Sequence, residues 1–224
     1  GDRIYNGAVD NATGCGVLVE LAHAWSMLPQ KPRRSAIFLA VTAEEAGLKG
    51  SQYYAEHPFI PLAKTAANIN YDALFPYGRT KDIGAPSVER TTLLPLVEEA
   101  AKRFQMRVTG DPRPEDGGYY RSDHFSFAHG GVPAFSVESG QDFYGKPAGW
   151  GEKMAAEYNA KNYHQPSDEY REDWDFSGLE QYAKFGFVLG INIANDRNLP
   201  TWQPGDEFLA ARQKSLGAGT GSKD

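Results

Sequence analysis

The sequence predicts an α/β domain: a mainly parallel central sheet covered by helices on both faces, a three-layer α/β/α arrangement. Three observations predict it. Apolar runs that read as strands alternate with stretches of helical apolar spacing, the pattern of parallel strands joined by crossover helices. The clearest strand candidate, residues 35–42, is a continuous apolar run, as strands buried on both faces are. With 224 residues, 41% of them hydrophobic, the chain can bury one such core without disulfides or metal staples.

The elements follow in order. Residues 11–28 place Val17, Leu18, Leu21, Ala22 and Trp25 at helical spacing, and Pro29 stops the helix. Residues 35–42 form an unbroken apolar run and read as a buried strand. A helix over residues 50–56 and a strand over 65–71 come next. Residues 91–105 read as a helix with Leu93, Leu96, Val97, Ala100 and Phe104 inward, 132–137 as another buried strand, and 177–194 as the last long helix. Between them, residues 140–163 are rich in Gly, Tyr, Lys and Glu. A loop of that length is a functional feature more often than a plain connection, and it reads as a wall or lid that delivers His164. The expected domain covers residues 1–196. A tail over 197–224 carries Pro200, Pro204 and a closing Gly/Ser run; it is expected to be partly disordered over 216–224, with a short helix over 207–214.

Charge and cysteine content narrow the classes. The formal net charge is -6, and the nearest approach to a basic patch is Lys31, Arg33 and Arg34, so no nucleic-acid surface is expected. A single cysteine, Cys15, excludes an internal disulfide framework, and its place in an apolar helix suggests a buried, inert thiol. No apolar run approaches the roughly 20 residues of a membrane span. Gly1 is not an initiator Met, so the sequence reads as a processed or excised piece.

Five residues carry the chemistry: Asp10, the pair Glu44 and Glu45, Asp72 and His164. Each stands where an element runs out into a loop, and ligands of parallel sheets bind beyond the carboxyl ends of the strands. Oxygen and nitrogen donors gathered there suit a hydrolytic zinc site. Adjacent carboxylates allow one to bind metal while the other moves a proton. Asp10, in Gly7-Ala-Val-Asp10-Asn-Ala-Thr-Gly14, also reads as a helix N-cap, and Asp72 as a turn former. Asp168 stands four residues after His164, where it could hold the second ring nitrogen, as the partners of zinc-bound imidazoles do. Tyr119, Tyr120, Phe143, Tyr144 and Trp150 could build an apolar pocket. These residues point to a zinc hydrolase, a peptidase in the first place.

Together these segments resemble the co-catalytic di-zinc aminopeptidases, metallopeptidase family twenty-eight, whose relatives include glutamate carboxypeptidase and glutaminyl cyclase. The resemblance rests on Gly7–Gly14, Glu44-Glu45-Ala-Gly47, Asn70-Tyr-Asp72, Ser122-Asp123-His124 with Gly131-Val-Pro133, and Tyr163-His164 with Asp168. It implies the zinc-peptidase, phosphorylase/hydrolase-like fold and a peptide substrate. It further implies that Asp10 bridges two zinc ions, Glu45 and His164 complete one, Asp72 serves the other, and Glu44 is general base and then acid. Asp123, His124 and Tyr163 are expected to line the pocket without a catalytic step. Export to the periplasm or the outside is implied by the habits of relatives.

The resemblance has one departure. The family's His-x-Asp motif, a few tens of residues before the bridging Asp, has no counterpart before Asp10, and His23, His57, His124 and His129 lack its context. The expectation is a chain incomplete at its front, with the site of Asp10, Glu45 and His164 whole and that of Asp10 and Asp72 one ligand short. Two zinc ions are then expected in an intact parent and one or none in this chain. A single-zinc glutaminyl cyclase, needing only an Asp, Glu, His set, is the rival enzyme. A metal-free binding domain of the transferrin-receptor kind is the rival outside catalysis.

Overall fold

A computed structural model describes residues 3–218. Its helices are α1 (Ala12–Ser26), α2 (Lys49–Glu56), α3 (Leu94–Arg103), α4 (His124–His129), α5 (Trp150–Lys161), α6 (Ser177–Asn195) and α7 (Leu209–Ala218). The strands are β1 (Asn68–Tyr71), β2 (Asp82–Gly84), β3 (Arg107–Thr109) and β4 (Ala134–Ser139), in the sheet order β1-β4-β2-β3. β1 runs parallel to β4 in the register Asn68↔Ala134 to Tyr71↔Val137, and β2 runs parallel to β3. β2 and β4 pair antiparallel through Ile83↔Ser139 and Gly84↔Glu138. The sheet is therefore mixed but mostly parallel.

The alternation of side chains along β4 sorts the molecule into layers. Phe135 and Val137 are buried among Val17 and Leu21 of α1, Val97 of α3 and Phe185 and Leu189 of α6. Ala134 belongs to a second core with Phe127 and Ala128 of α4, Val132, Trp202 and Phe208. Helices thus cover both faces, as the apolar strand runs required. Among the described residues no helix is long and apolar enough to cross a membrane.

Four readings change. Residues 35–42 form no strand: no ladder of the sheet includes them, and Ile37 is half exposed. An apolar run becomes a strand only where a neighbour supplies ladder partners, which periodicity cannot reveal. Residues 140–163, expected as irregular, contain α5, whose buried face is only Gly151 and Tyr158; so thin an apolar stripe leaves no helical signature. β2 and β3 have three residues each, too few for any period. Cys15 is exposed, because α1 turns Thr13, Gly14, Val17 and Leu21 inward and its next residue outward.

The segment after Asp196 packs against the body. Trp202, Phe208 and Arg212 are buried, and Trp202 donates from Nε1 to the Gly131 carbonyl at 2.9 Å. Arg212 donates to the carbonyls of Leu62 and Pro200, each at 3.2 Å. Arg90 braces this segment through ion pairs with Asp206 at 2.7 Å and Glu207 at 2.9 Å. The expected disorder over 216–224 falls mainly on residues 219–224, which lie outside the described residues.

Candidate metal centre

The loop before α1 delivers Asp10, and its neighbours explain how. Asn11, not Asp10, caps the helix: its Oδ1 accepts from the Gly14 N–H at 3.1 Å. The same oxygen accepts from the Ala73 N–H at 3.2 Å, and Nδ2 donates to the Tyr71 carbonyl at 3.0 Å. Thr13 adds a second tie, donating to the Val9 carbonyl at 2.8 Å and accepting from the Leu74 N–H at 3.0 Å. Gly14 lets the two segments close on each other, since a Cβ there would lie 2.4 Å from the Tyr71 carbonyl oxygen. The start of α1 is thereby welded to the exit of β1, and the Asp10 carboxylate is left free of capping work.

Two further segments come to the same edge. Glu44 opens a tight turn into α2, its carbonyl accepting from Gly47 at 2.9 Å and Leu48 at 2.8 Å. Asp72 follows β1, where Ser122 donates to its Oδ2 at 2.7 Å while accepting from Asn70 Nδ2 at 2.8 Å. Asn70, Ser122 and Asp72 form a chain of bonds that orients one Asp72 oxygen.

His164 arrives from the turn after α5. Its Nε2 lies 3.0 Å from Glu45 Oε1 and 3.4 Å from Asp10 Oδ2. One donor atom from each of Asp10, Glu45 and His164 falls within 4.8 Å of the others. A tetrahedral zinc ion about 2.0–2.1 Å from each donor would hold them about 3.4 Å apart. The His164–Asp10 separation of 3.4 Å matches that edge, and the His164–Glu45 separation of 3.0 Å is a hydrogen-bond distance that would open slightly around an ion. The nitrogen and oxygen donors are also of the right type for zinc.

The electrostatics point the same way. Burial, with the charges of Asp72 and Glu45, raises the Asp10 carboxyl to about 6, against a lowering contribution from His164. Burial, with Asp72, Glu45, Asp123 and Asp10, raises Glu44 to about 7. Repulsion of this kind among carboxylates is what a divalent cation relieves. Asp72 takes no part in the three-residue group, yet its charge reaches both Asp10 and Glu44.

The remaining candidates divide. Tyr163 stacks on the His164 ring with centroids 3.7 Å apart, and burial raises its phenol. Asp123 precedes α4, its carboxyl raised by burial with Asp72 adding, against a Ser51 hydrogen bond. His124 faces the second core, 2% exposed and 4.6 Å from the Tyr119 ring; burial pushes its imidazole down to about 4. Asp168 corrects the expectation of a bond to His164: among the described residues its carboxylate instead takes the N–H groups of Val9 and Asp10 and the Tyr158 hydroxyl. Asn11 and Tyr158 were missed as supports; their bonds run between residues far apart in sequence and leave no local pattern.

The five-aromatic pocket also divides. Tyr144 and Trp150 line a groove of about 1090 Å³ that reaches Asp168, beside Tyr77, Tyr158, Tyr170 and Trp174. Phe143 is buried under Trp150, and Tyr119 and Tyr120 pack near Phe125 and Phe208 of the other face.

Comparison with known proteins identifies the family and the fold. The model of peptidase family M28 matches residues 1–184. Leupeptin-inactivating enzyme 1 of Streptomyces exfoliatus is 30% identical over 147 residues, which cover 63% of this chain and 32% of that protein. Aminopeptidase NAALADL1 of Mus musculus is 37% identical over 94 residues, 39% of this chain and 13% of that protein. The chain thus spans about a third or less of these relatives. The aminopeptidase from Aneurinibacillus sp. strain AM-1 superposes with a TM-score of 0.60 at 22% identity, covering 89% of this chain and 42% of that one. The Legionella pneumophila LapA aminopeptidase gives 0.62 at 18%, covering 86% and 47%. The two structures share the fold.

Proposed function

The chain belongs to peptidase family M28, and from that premise we propose that it is the catalytic portion of a zinc-dependent exopeptidase, an aminopeptidase, acting on peptides. The convergence of Asp10, Glu45 and His164 carries the reading. In it, Asp10, Glu45 and His164 hold one zinc ion, and Asp10 and Asp72 face a second. Bound zinc would acidify water and polarise the scissile carbonyl.

The protein's own groups supply the rest. Glu44 stands beside the donor Glu45 yet outside the three-donor group, so it is the carboxylate left to move a proton. Its role would be to accept a proton from the attacking water and return it to the leaving amine; in the metal-free chain burial and the neighbouring acids raise its carboxyl to about 7. A dication nearby would draw that value back down, toward a stronger acid and weaker base. Tyr163 holds the His164 ring by stacking, and Ser122 fixes the rotamer of Asp72.

The test is zinc bound per chain, by elemental analysis after equilibration with limiting zinc and dialysis. One ion is expected at the Asp10, Glu45 and His164 group, and His164→Ala should remove it. A chain that retains no zinc, or a His164→Ala variant that retains all of it, overturns the assignment.

A further inference from the structure

Asp168 is 4% exposed, and its acceptors are spent on one stretch of backbone. The Ala8 N–H donates to the Asp168 carbonyl at 3.2 Å. The Val9 N–H donates to Oδ1 at 3.0 Å and Oδ2 at 3.1 Å, and the Asp10 N–H to Oδ2 at 3.0 Å. Three successive amides of the Asp10 loop are therefore held by a single residue of the His164 turn. Tyr158 of α5, itself buried, donates to Oδ2 at 3.2 Å and fixes the carboxylate from the other side.

For stability alone this is a poor choice of residue. A buried carboxylate is costly unless fully hydrogen-bonded, and Asp168 adds its negative charge to a region already crowded with acids. The arrangement makes sense if the bonds set a distance. Asp168 follows His164 by four positions, so a clamp on the amides of Val9 and Asp10 ties the two donor-bearing segments to each other. Without its side chain, the Val9 and Asp10 N–H groups lose this tie, while the main-chain bond from Ala8 and the 3.2 Å bond from Asn6 to Glu169 remain.

We propose that Asp168 is a positioning residue for the metal centre, acting through the backbone of Asp10 and not through the His164 ring, with Tyr158 holding Asp168 in place. The clamp sets the 3.4 Å separation between Asp10 Oδ2 and His164 Nε2. The proposal rests on the zinc reading above and goes beyond it by naming what preorganises the donors.

The test uses the chain as it is, with Asp168→Asn and Tyr158→Phe. The amide of Asp168→Asn puts an NH2 at one of the two acceptor places, so at least one bond to the carboxylate is lost and a donor faces the loop N–H groups; Tyr158→Phe keeps the ring and removes only the hydroxyl. Zinc affinity by chelator competition should fall ten- to a hundredfold in Asp168→Asn, the usual effect of removing a group that orients metal ligands, and by less in Tyr158→Phe. The visible absorption of the cobalt-substituted chain should shift in band position or intensity in Asp168→Asn. A merely structural Asp168 would lower the melting temperature of the metal-free chain and leave the cobalt spectrum of the folded fraction unchanged, and that result overturns the proposal. Should Asp168→Asn fail to fold, Tyr158→Phe decides: wild-type zinc affinity there overturns it as well. If the wild-type chain takes up no zinc, the functional reading itself fails and the proposal with it. Wild-type binding with an unaffected Asp168→Asn overturns the positioning role alone.

Discussion

Asn11→Ala and Asp10→Asn alter neighbouring residues and should have opposite effects on the metal-free chain. Asn11→Ala deletes three hydrogen bonds: the cap to the Gly14 N–H at 3.1 Å, the bond from the Ala73 N–H at 3.2 Å and the bond to the Tyr71 carbonyl at 3.0 Å. Loss of an N-cap costs about 1 kcal/mol, and each of the two bonds to the end of β1 contributes about 1 kcal/mol. Bonds made by one side chain relax together, so about 2–3 kcal/mol is expected. In a chain of this size each kcal/mol moves the melting temperature by about 2–4 °C, so Asn11→Ala should melt about 5–10 °C lower. Asp10→Asn removes a charge that burial and the acids Asp72, Glu45 and Asp168 all oppose. It should leave the metal-free melting temperature unchanged or raise it. Scanning calorimetry of both variants in the presence of a chelator checks this. An Asp10→Asn variant that melts as low as Asn11→Ala would mean that the Asp10 charge stabilises the metal-free chain, contrary to the opposing burial and acids. An Asn11→Ala variant within about 0.5 kcal/mol of wild type, the range of an ordinary surface change, would mean that the weld between α1 and β1 does not exist in solution.

Two further expectations concern protons. In the active protein Glu44→Gln should lower kcat by about a hundredfold or more while zinc binding by elemental analysis stays at the wild-type level; full activity in the variant removes Glu44 as the base. His124 is buried and neutral, its imidazole lowered from 6.5 to about 4 by burial. A histidine lowered in the folded state contributes stability that is present above pH 6.5 and is lost as pH falls toward 4. Between pH 7 and pH 5 that loss is about 2 kcal/mol, or about 4–8 °C in melting temperature. His124→Phe should flatten the acid limb of the melting profile by about this amount, and parallel profiles for variant and wild type would refute the assignment.

The parts of this fold legible in the sequence were those with a period or a punctuation mark. α1, α3 and α6 turn apolar stripes toward the first core, and β1 and β4 are strand candidates that find partners on the sheet. Residues 35–42 have the run without the ladder, so the same signal misleads there. α5 has the helix without the stripe and was hidden. The acids and the histidine were visible as metal-donor types beside the ends of elements, Asp10 and the Glu44, Glu45 pair before α1 and α2, Asp72 and His164 after β1 and α5, and Asp10, Glu45 and His164 do meet in space. What was illegible is how they are held. Asp10 looked like a cap because it precedes a helix, yet the cap lies one residue later, and Asp168 looked like a partner of His164 because it is near in sequence, yet its bonds go to amides about 158 positions away.

That division has a physical cause. In the metal-free chain burial first, and then the charges of neighbouring acids, raise the carboxyls of Asp10 and Glu44: Asp72 and Glu45 repel both, and Asp123 adds to Glu44. Side chains that repel cannot locate each other, so the site has to be assembled by groups that do not bind metal. Asn11 and Thr13 fasten the Asp10 loop to the exit of β1, Ser122 fastens Asp72 to Asn70, and Asp168 fastens the Asp10 loop to the His164 turn. Each of these bonds joins a polar side chain to a segment distant in sequence, and each spends its free energy on position. The donors are then close before any cation arrives. The cation need only offset their repulsion and does not have to order the loops as well.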